Sequence, residues 1–146
     1  MSDIVEILHG VNLDTLGRRD PEIYGTLTLP ELESKVSHFA ADLGLRPSFA
    51  QTNHEGEYCE LLHRAGETAD GLILNAGAWT HYSYAIRDAL EVAALPAIEV
   101  HISRVDDREE WRRRSVIEDI CSGRVQGRGV DGYREALEQL KRVLER

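Results

Sequence analysis

Apolar runs of strand length and amphipathic runs of helix length alternate five times along the 146 residues. That alternation restricts the chain to a parallel sheet with helices packed on both faces. Gly71-Leu72-Ile73-Leu74-Asn75 is the sharpest element, wholly apolar until its last residue, as a central strand covered on both sides must be. Ile4 to Leu8, interrupted only by Glu6, and Ala97 to Val100 read as two more strands. Arg46 to Gln51 is weaker, and Pro47 near its start suits a position at or near a sheet edge. Arg124 to Gln126 is the last and weakest. Between them, Thr28 and Glu31 form a capping box, with Pro30 in the first turn, and open a helix that Gly44 stops. A second helix follows Asn53-His54-Glu55-Gly56-Glu57. A third runs from Tyr82 to Ala94, with Ala85, Ile86, Ala89, Leu90 and Ala93 on one face, and Pro96 prevents its continuation. The last carries Tyr133, Ala136, Leu137, Leu140, Val143 and Leu144 on one face. Arg108 to Arg114 reads as a short helix or turn. Repeats, linkers and low-complexity segments are absent from the sequence.

These elements predict an α/β, flavodoxin-like three-layer sandwich with a five-stranded parallel sheet in the order 2-1-3-4-5, formed by residues 1–146 as a single domain. In such a sheet, ligands bind beyond the carboxyl ends of the strands, at the point where the strand order reverses. Asn12 follows the first strand there, Asn53 and His54 the second, Asn75 the third, and His101 and Ser103 the fourth. Gly10 to Gly25 is a long irregular segment leaving the first strand, and long loops in compact domains are usually functional. Arg19 and Tyr24 ride on it between glycines, which predicts a mobile lid near residues 17–25. For a phenol of pKa about 10, acting as a base near neutral pH needs a shift of about three units. One guanidinium at about 4 Å supplies roughly that at an effective dielectric of 20. Each of these residues also has a plain structural reading. Arg19 could be a solvated charge and Tyr24 a packing residue. Asn75 could be a helix cap or could offer its amide and helix-start N–H groups to an oxygen-rich ligand. His81 could cap or be exposed at the start of the third helix. His101 could be a satisfied core histidine or a general acid. Arg112, within Arg112-Arg113-Arg114, could belong to a solvated face.

Composition removes many alternatives. A net charge of −9 argues against a general nucleic-acid or membrane-surface role, so an anionic ligand would need a local cluster of Arg, His or N–H groups. Cys59 and Cys121 stand far apart, without zinc-site spacing, and read as reduced core residues. The start of the chain lacks a secretory-leader pattern and no apolar run reaches spanning length, which leads us to expect a soluble cytoplasmic protein. His54-Glu55 lacks the second histidine of a zincin helix, and there is no Gly-x-Ser-x-Gly elbow, dinucleotide fingerprint or phosphate-cradling loop. Lys35 and Lys141, the two lysines, fall on surface helices, which removes Schiff-base chemistry at the strand ends. What remains is Tyr, Arg, His and Asn chemistry. It suits proton abstraction beside a carbonyl and loss of a hydroxyl from a small polyhydroxylated anion.

Taken in order, Gly10-x-Asn12-Leu13, Leu16-Gly17, Arg19-x-Pro21-x-x-Tyr24-Gly25, Asn53-His54-Glu55-Gly56-Glu57, Asn75-x-Gly77-Ala78-x-Thr80-His81, Arg87-Asp88-Ala89-Leu90, Glu99-Val100-His101-x-Ser103 and Gly132-Tyr133 resemble the type II 3-dehydroquinate dehydratases over nearly the whole chain. The resemblance implies a hydro-lyase without cofactor or metal that converts 3-dehydroquinate to 3-dehydroshikimate by trans-dehydration through an enolate, in the shikimate or quinate pathway. It also implies a homododecamer built as a tetramer of trimers. By the same resemblance Tyr24 is the base, Arg19 keeps its phenol ionised, Asn12 stabilises the enolate, and His101, oriented by Glu99, protonates the departing hydroxyl. Asn75 with the N–H groups of Ile102 and Ser103 holds the carboxylate region, His81 and Arg112 bind the ring hydroxyls, and Asp88 reaches a neighbouring subunit's site. The chain departs from the family's usual residues at Val11, Asp14, Ala76, Trp79, Arg104, Asp106 and Arg114, none of which has a chemical role. A repurposed paralogue acting on a related cyclic hydroxy-acid, or a non-catalytic ligand-binding member of the fold, would be the alternatives.

Overall fold

Five strands, β1 (Ile4–His9), β2 (Arg46–Gln51), β3 (Gly71–Asn75), β4 (Ala97–His101) and β5 (Gly123–Gln126), pair in parallel in the order β2-β1-β3-β4-β5. The order is the one that the strand and helix alternation predicts for a flavodoxin-like sheet. The computed structural model describes residues 2–146. β3 and β4 are buried at every residue, whereas β2 is mostly half-exposed at the sheet edge, where Pro47 is tolerated.

The pleat divides the core in two. Val5, Ile7, Ile73, Ile98 and Val100 face α2 (Leu29–Asp42) and α5 (Asp131–Leu144), while Leu8, Leu72 and Leu74 face α3 (Glu55–Thr68) and α4 (Tyr84–Ala93). Successive strand residues thus serve opposite layers, so the central strands β3 and β4 are apolar on both faces up to their last residues except at Glu99, whose carboxylate is buried with hydrogen-bond partners. Full burial of each such side chain stabilises the fold by about 1.5–3 kcal/mol. The capping box forms as expected, with Thr28 and Glu31 bonding reciprocally at the start of α2.

Three local expectations change. The third predicted helix does not begin at Tyr82: Gly77–His81 forms a 3-10 turn, and the Ser83 hydroxyl accepts from the Ile86 N–H at 3.1 Å, so α4 starts at Tyr84. A serine at that position favours the cap over a place inside the helix. The Gly10 to Gly25 segment is not irregular throughout. It holds a 3-10 turn (Leu13–Thr15) and a single helical turn, α1 (Pro21–Tyr24), with Pro at the first position and Asp20 accepting from the Glu22 N–H. Cys59 and Cys121 are free but half-buried against the core margin rather than within it. Burial pushes the Cys121 thiol up to about 12.

Candidate active site

The carboxyl ends of β1, β3 and β4 open into one cleft, and α1 closes one side of it. β1 delivers Asn12 in a left-handed conformation (φ 68°), a region Asn enters more readily than most residues. The Asn12 N–H donates to Asn53 Oδ1 at 2.8 Å, and Asn53 also receives the Gln51 amide and reaches Asp14. Asn53 therefore braces the loop that carries Asn12 and does not line the cleft; exposed His54 does not line it either. Gly17 (φ 92°) and Gly25 (φ 76°) bracket α1 and its approach, and both adopt backbone angles that favour glycine. Between them, Arg19 Nη2 donates to Tyr24 Oη at 2.8 Å, with its guanidinium carbon 3.9 Å from the ring centroid. The Arg108 guanidinium stands 5.1 Å from the same ring and also donates to Ser103 Oγ at 3.4 Å. Two cations thus flank one phenol.

The opposite wall is built around β4. Glu99 is completely buried, and its carboxylate accepts three hydrogen bonds: from His101 Nε2 at 2.5 Å, Ser115 Oγ at 2.7 Å and Arg124 Nε at 3.0 Å. Burial pushes the Glu99 carboxyl up, but the His101 and Ser115 bonds and the charges of His101 and Arg124 outweigh it and hold it below the usual carboxylate range. An ionised carboxylate only accepts, so His101 Nε2 carries a proton and Nδ1 is the nitrogen left for chemistry. The His81 ring stacks on His101 at 6.0 Å between centroids, and its Nδ1–H donates to the Arg114 carbonyl at 2.7 Å. Burial lowers the His81 pKa, with the charges of His101 and Arg112 adding to the effect, so His81 Nε2 is an acceptor near neutral pH. Trp111 meets His81 edge-on at 5.3 Å, and Arg112 lies over Trp111 while donating to Glu109 at 3.0 Å.

Arg19, Tyr24, Asn12, Asn75, His81, His101, Ile102, Ser103 and Arg112 all line this cleft, and Glu99 lies directly behind His101. Asn75 is buried, and its Oδ1 accepts from the Gly77 N–H at 3.1 Å, so the amide is oriented by the turn that follows it. Asp88 is exposed on α4 and lies outside the cleft of its own chain. Sequence reasoning missed Arg108, which it left in an undifferentiated basic run; the short 3-10 turns around it carry no periodicity that would single it out. It also missed Arg124, hidden in the weakest strand. Among the described residues, no three His, Cys, Asp or Glu side chains converge in a way that could hold a metal ion. The arrangement is equipped for proton transfer, with a cation-flanked phenol on one wall and a carboxylate-oriented imidazole on the other.

A doubly wound α/β protein with an acid–base cleft at its strand ends is the class that fold and site define. The chain belongs to the Dehydroquinase class II family, whose model matches residues 3–141. It is 48% identical over 133 residues to a 3-dehydroquinate dehydratase of Pelotomaculum thermopropionicum, covering 91% of this chain and 92% of that one. It is 51% identical over 132 residues to a 3-dehydroquinate dehydratase of Pelobacter propionicus, covering 90% and 89% of the two chains. The crystal structure of type II dehydroquinase from Propionibacterium acnes superposes with a TM-score of 0.92 at 39% identity, covering 97% of this chain and 98% of that one.

Proposed function

We propose that this chain is a type II dehydroquinase that converts 3-dehydroquinate to 3-dehydroshikimate, with Tyr24 as base and His101 as acid. The observation that carries the assignment of roles is the pairing within one cleft: Arg19 on the Tyr24 hydroxyl at 2.8 Å and Glu99 on His101 at 2.5 Å. In this reading the Tyr24 phenolate takes the proton from the carbon beside the ketone, and Arg19 stabilises the phenolate. Asn12 stabilises the resulting enolate through a water. His101 then protonates the departing hydroxyl, and Glu99 stabilises the imidazolium before transfer and holds the ring. Asn75 and the N–H groups of Ile102 and Ser103 take the carboxylate region, while His81, as an acceptor, and Arg112, as a donor, take the ring hydroxyls.

The segment 17–25 acts as the lid of a single catalytic domain, hinged at Gly17 and Gly25. No cofactor takes part. The enzyme assembles as a homododecamer, a tetramer of trimers, in which Asp88 reaches a neighbouring subunit's site. Exposure of Asp88 on α4 is compatible with that placement. It serves the shikimate or quinate pathway in the cytoplasm.

The test is direct. Purified protein incubated with 3-dehydroquinate should develop the conjugated-enone absorbance of the product. Tyr24→Phe should lower kcat by about 10²–10⁴, the range of a general base, and leave substrate binding nearly intact. A Tyr24→Phe variant within a few fold of wild type would remove the phenolate base.

A further inference from the structure

We propose that Arg124 is a positioning residue for the acid step: it grips the Glu99 oxygen that orients His101 and thereby sets how readily His101 releases its proton. The inference rests on the reading of His101 as acid given above. Glu99 and Arg124 are register partners on the adjacent strands β4 and β5, so their side chains leave the same face of the sheet. Arg124 Nε donates to Glu99 Oε2 at 3.0 Å, and this is the same oxygen that accepts from His101 at 2.5 Å. One carboxylate oxygen is therefore shared between a permanent cation and the imidazole. Ser115 holds the other oxygen, so the carboxylate cannot rotate away from either partner without losing a buried bond.

The remaining surroundings define what Arg124 changes. His81, Cys121 and Tyr58 face Glu99 from the 3-10 turn before α4, the loop before β5 and α3, and none of them supplies a second permanent positive charge. On its outer side Arg124 Nη1 approaches Glu118 at 3.7 Å and Asp106 at 3.9 Å, both half-exposed, while its Nη2 is buried without a hydrogen-bond partner. With Arg124 present, part of the Glu99 charge is spent on the guanidinium and the His101 imidazolium receives less stabilisation. Removing the Arg124 charge should make the imidazolium harder to deprotonate. Removing an outer carboxylate should do the reverse, because the guanidinium then acts more fully on Glu99.

Arg124→Gln keeps a hydrogen-bond donor and removes the charge. We expect the alkaline limb of its kcat profile to move up by about one pH unit. On the plateau below that limb kcat should fall severalfold, by less than about tenfold, with KM within about twofold, since one unit of acid strength is about tenfold in the proton-transfer equilibrium and the rate follows only part of it. The acidic limb should stay in place. Arg124→Lys should restore the alkaline limb, and Glu118→Gln should move it slightly down. The His101 ring signal, followed by histidine-selective NMR titration, should move with the limb in every variant, and it reports on Arg124 even if turnover is assigned to other groups. An unmoved His101 titration in Arg124→Gln would overturn the proposal, as would an unmoved one in Glu118→Gln if Arg124→Gln fails to fold. If the titration moves while the kcat limb does not, Arg124 has no part in the acid step and the proposal falls. Loss of the alkaline limb in His101→Gln supports the acid assignment, and its persistence would refute that assignment separately.

Discussion

Gly10→Ala should disable the enzyme by moving the backbone beneath the site, although no catalytic group is touched. A Cβ at Gly10 would stand 2.4 Å from the carbonyl carbon and oxygen of Ala76 and 2.7 Å from its Cα, where ordinary contact begins at 3.4 Å. These are backbone atoms of a residue with no exposed surface, so they cannot swing aside, and the two strand ends must part by about 1 Å. The Gly10 N–H donates to the Asn75 carbonyl at 2.7 Å, a bond that this separation strains. Overpacking costs about 1–3 kcal/mol and a lost hydrogen bond about 1 kcal/mol more. For a chain of this size that is on the order of 10 °C in Tm. Asn12 lies two residues beyond Gly10 and Asn75 immediately before Ala76, so both walls of the cleft shift, and a misplacement of about 1 Å costs about a hundredfold in rate. Gly123→Ala is the control: its Cβ would meet the Gln139 side-chain oxygen at 2.3 Å, but that flexible end can move. Differential scanning calorimetry and steady-state kinetics on both variants decide the matter. Gly10→Ala melting within about 2 °C of wild type, with near-normal kcat/KM, would refute the reasoning.

Gly56→Ala, in the first turn of α3 where a Cβ meets open space, should stabilise the protein by about 0.5–1 kcal/mol in urea unfolding, and any destabilisation would contradict the helix assignment. Glu99→Gln should make stability less sensitive to acid. The Glu99 carboxyl is held below its ordinary value of 4.5, so its contribution is present above that value and disappears as pH falls through the folded one; equal slopes of unfolding free energy against pH below 4.5 in variant and wild type would sink the idea.

The sheet was legible because burial on both faces leaves a plain signature. Leu72, Ile73 and Leu74 serve alternate layers, so no polar residue can be tolerated among them, and the strand reads as an unbroken apolar run. The strand-end residues were legible for a related reason: a polar residue at the carboxyl end of a buried strand, as Asn75 and His101 are, stands at the edge where ligands bind. The segments Gly77–His81 and Val105 to Arg114 were less so, because one-turn 3-10 elements have no periodicity to detect. Arg108 and Arg112 differ from exposed Arg113 only in the direction their short turns give them. Arg124 was invisible for another reason, since an arginine in a weak strand argues for an edge facing water until its register partner is known to be a buried glutamate.

That same geometry reconciles an acidic chain with an anionic substrate. The charge of −9 is spread over the whole molecule, and at physiological ionic strength exposed charges farther apart than about 8 Å are largely screened from one another. Arg19, Arg108 and Arg112 line a single cleft, where partial burial weakens that screening and contact distances make their charges dominate the local potential. None is free to act as a bare counterion, because Arg19 is bonded to Tyr24, Arg108 to Ser103 and Arg112 to Glu109. Cations fixed in this way lose little entropy when an anion enters, and they attract it without collapsing onto it. The cluster that the composition argues against is thus supplied by arginines that the surrounding fold already holds in place: three guanidiniums line the cleft, and Glu109, the carboxylate that pairs with Arg112 at 3.0 Å and Arg108 at 3.7 Å, offsets only part of their charge.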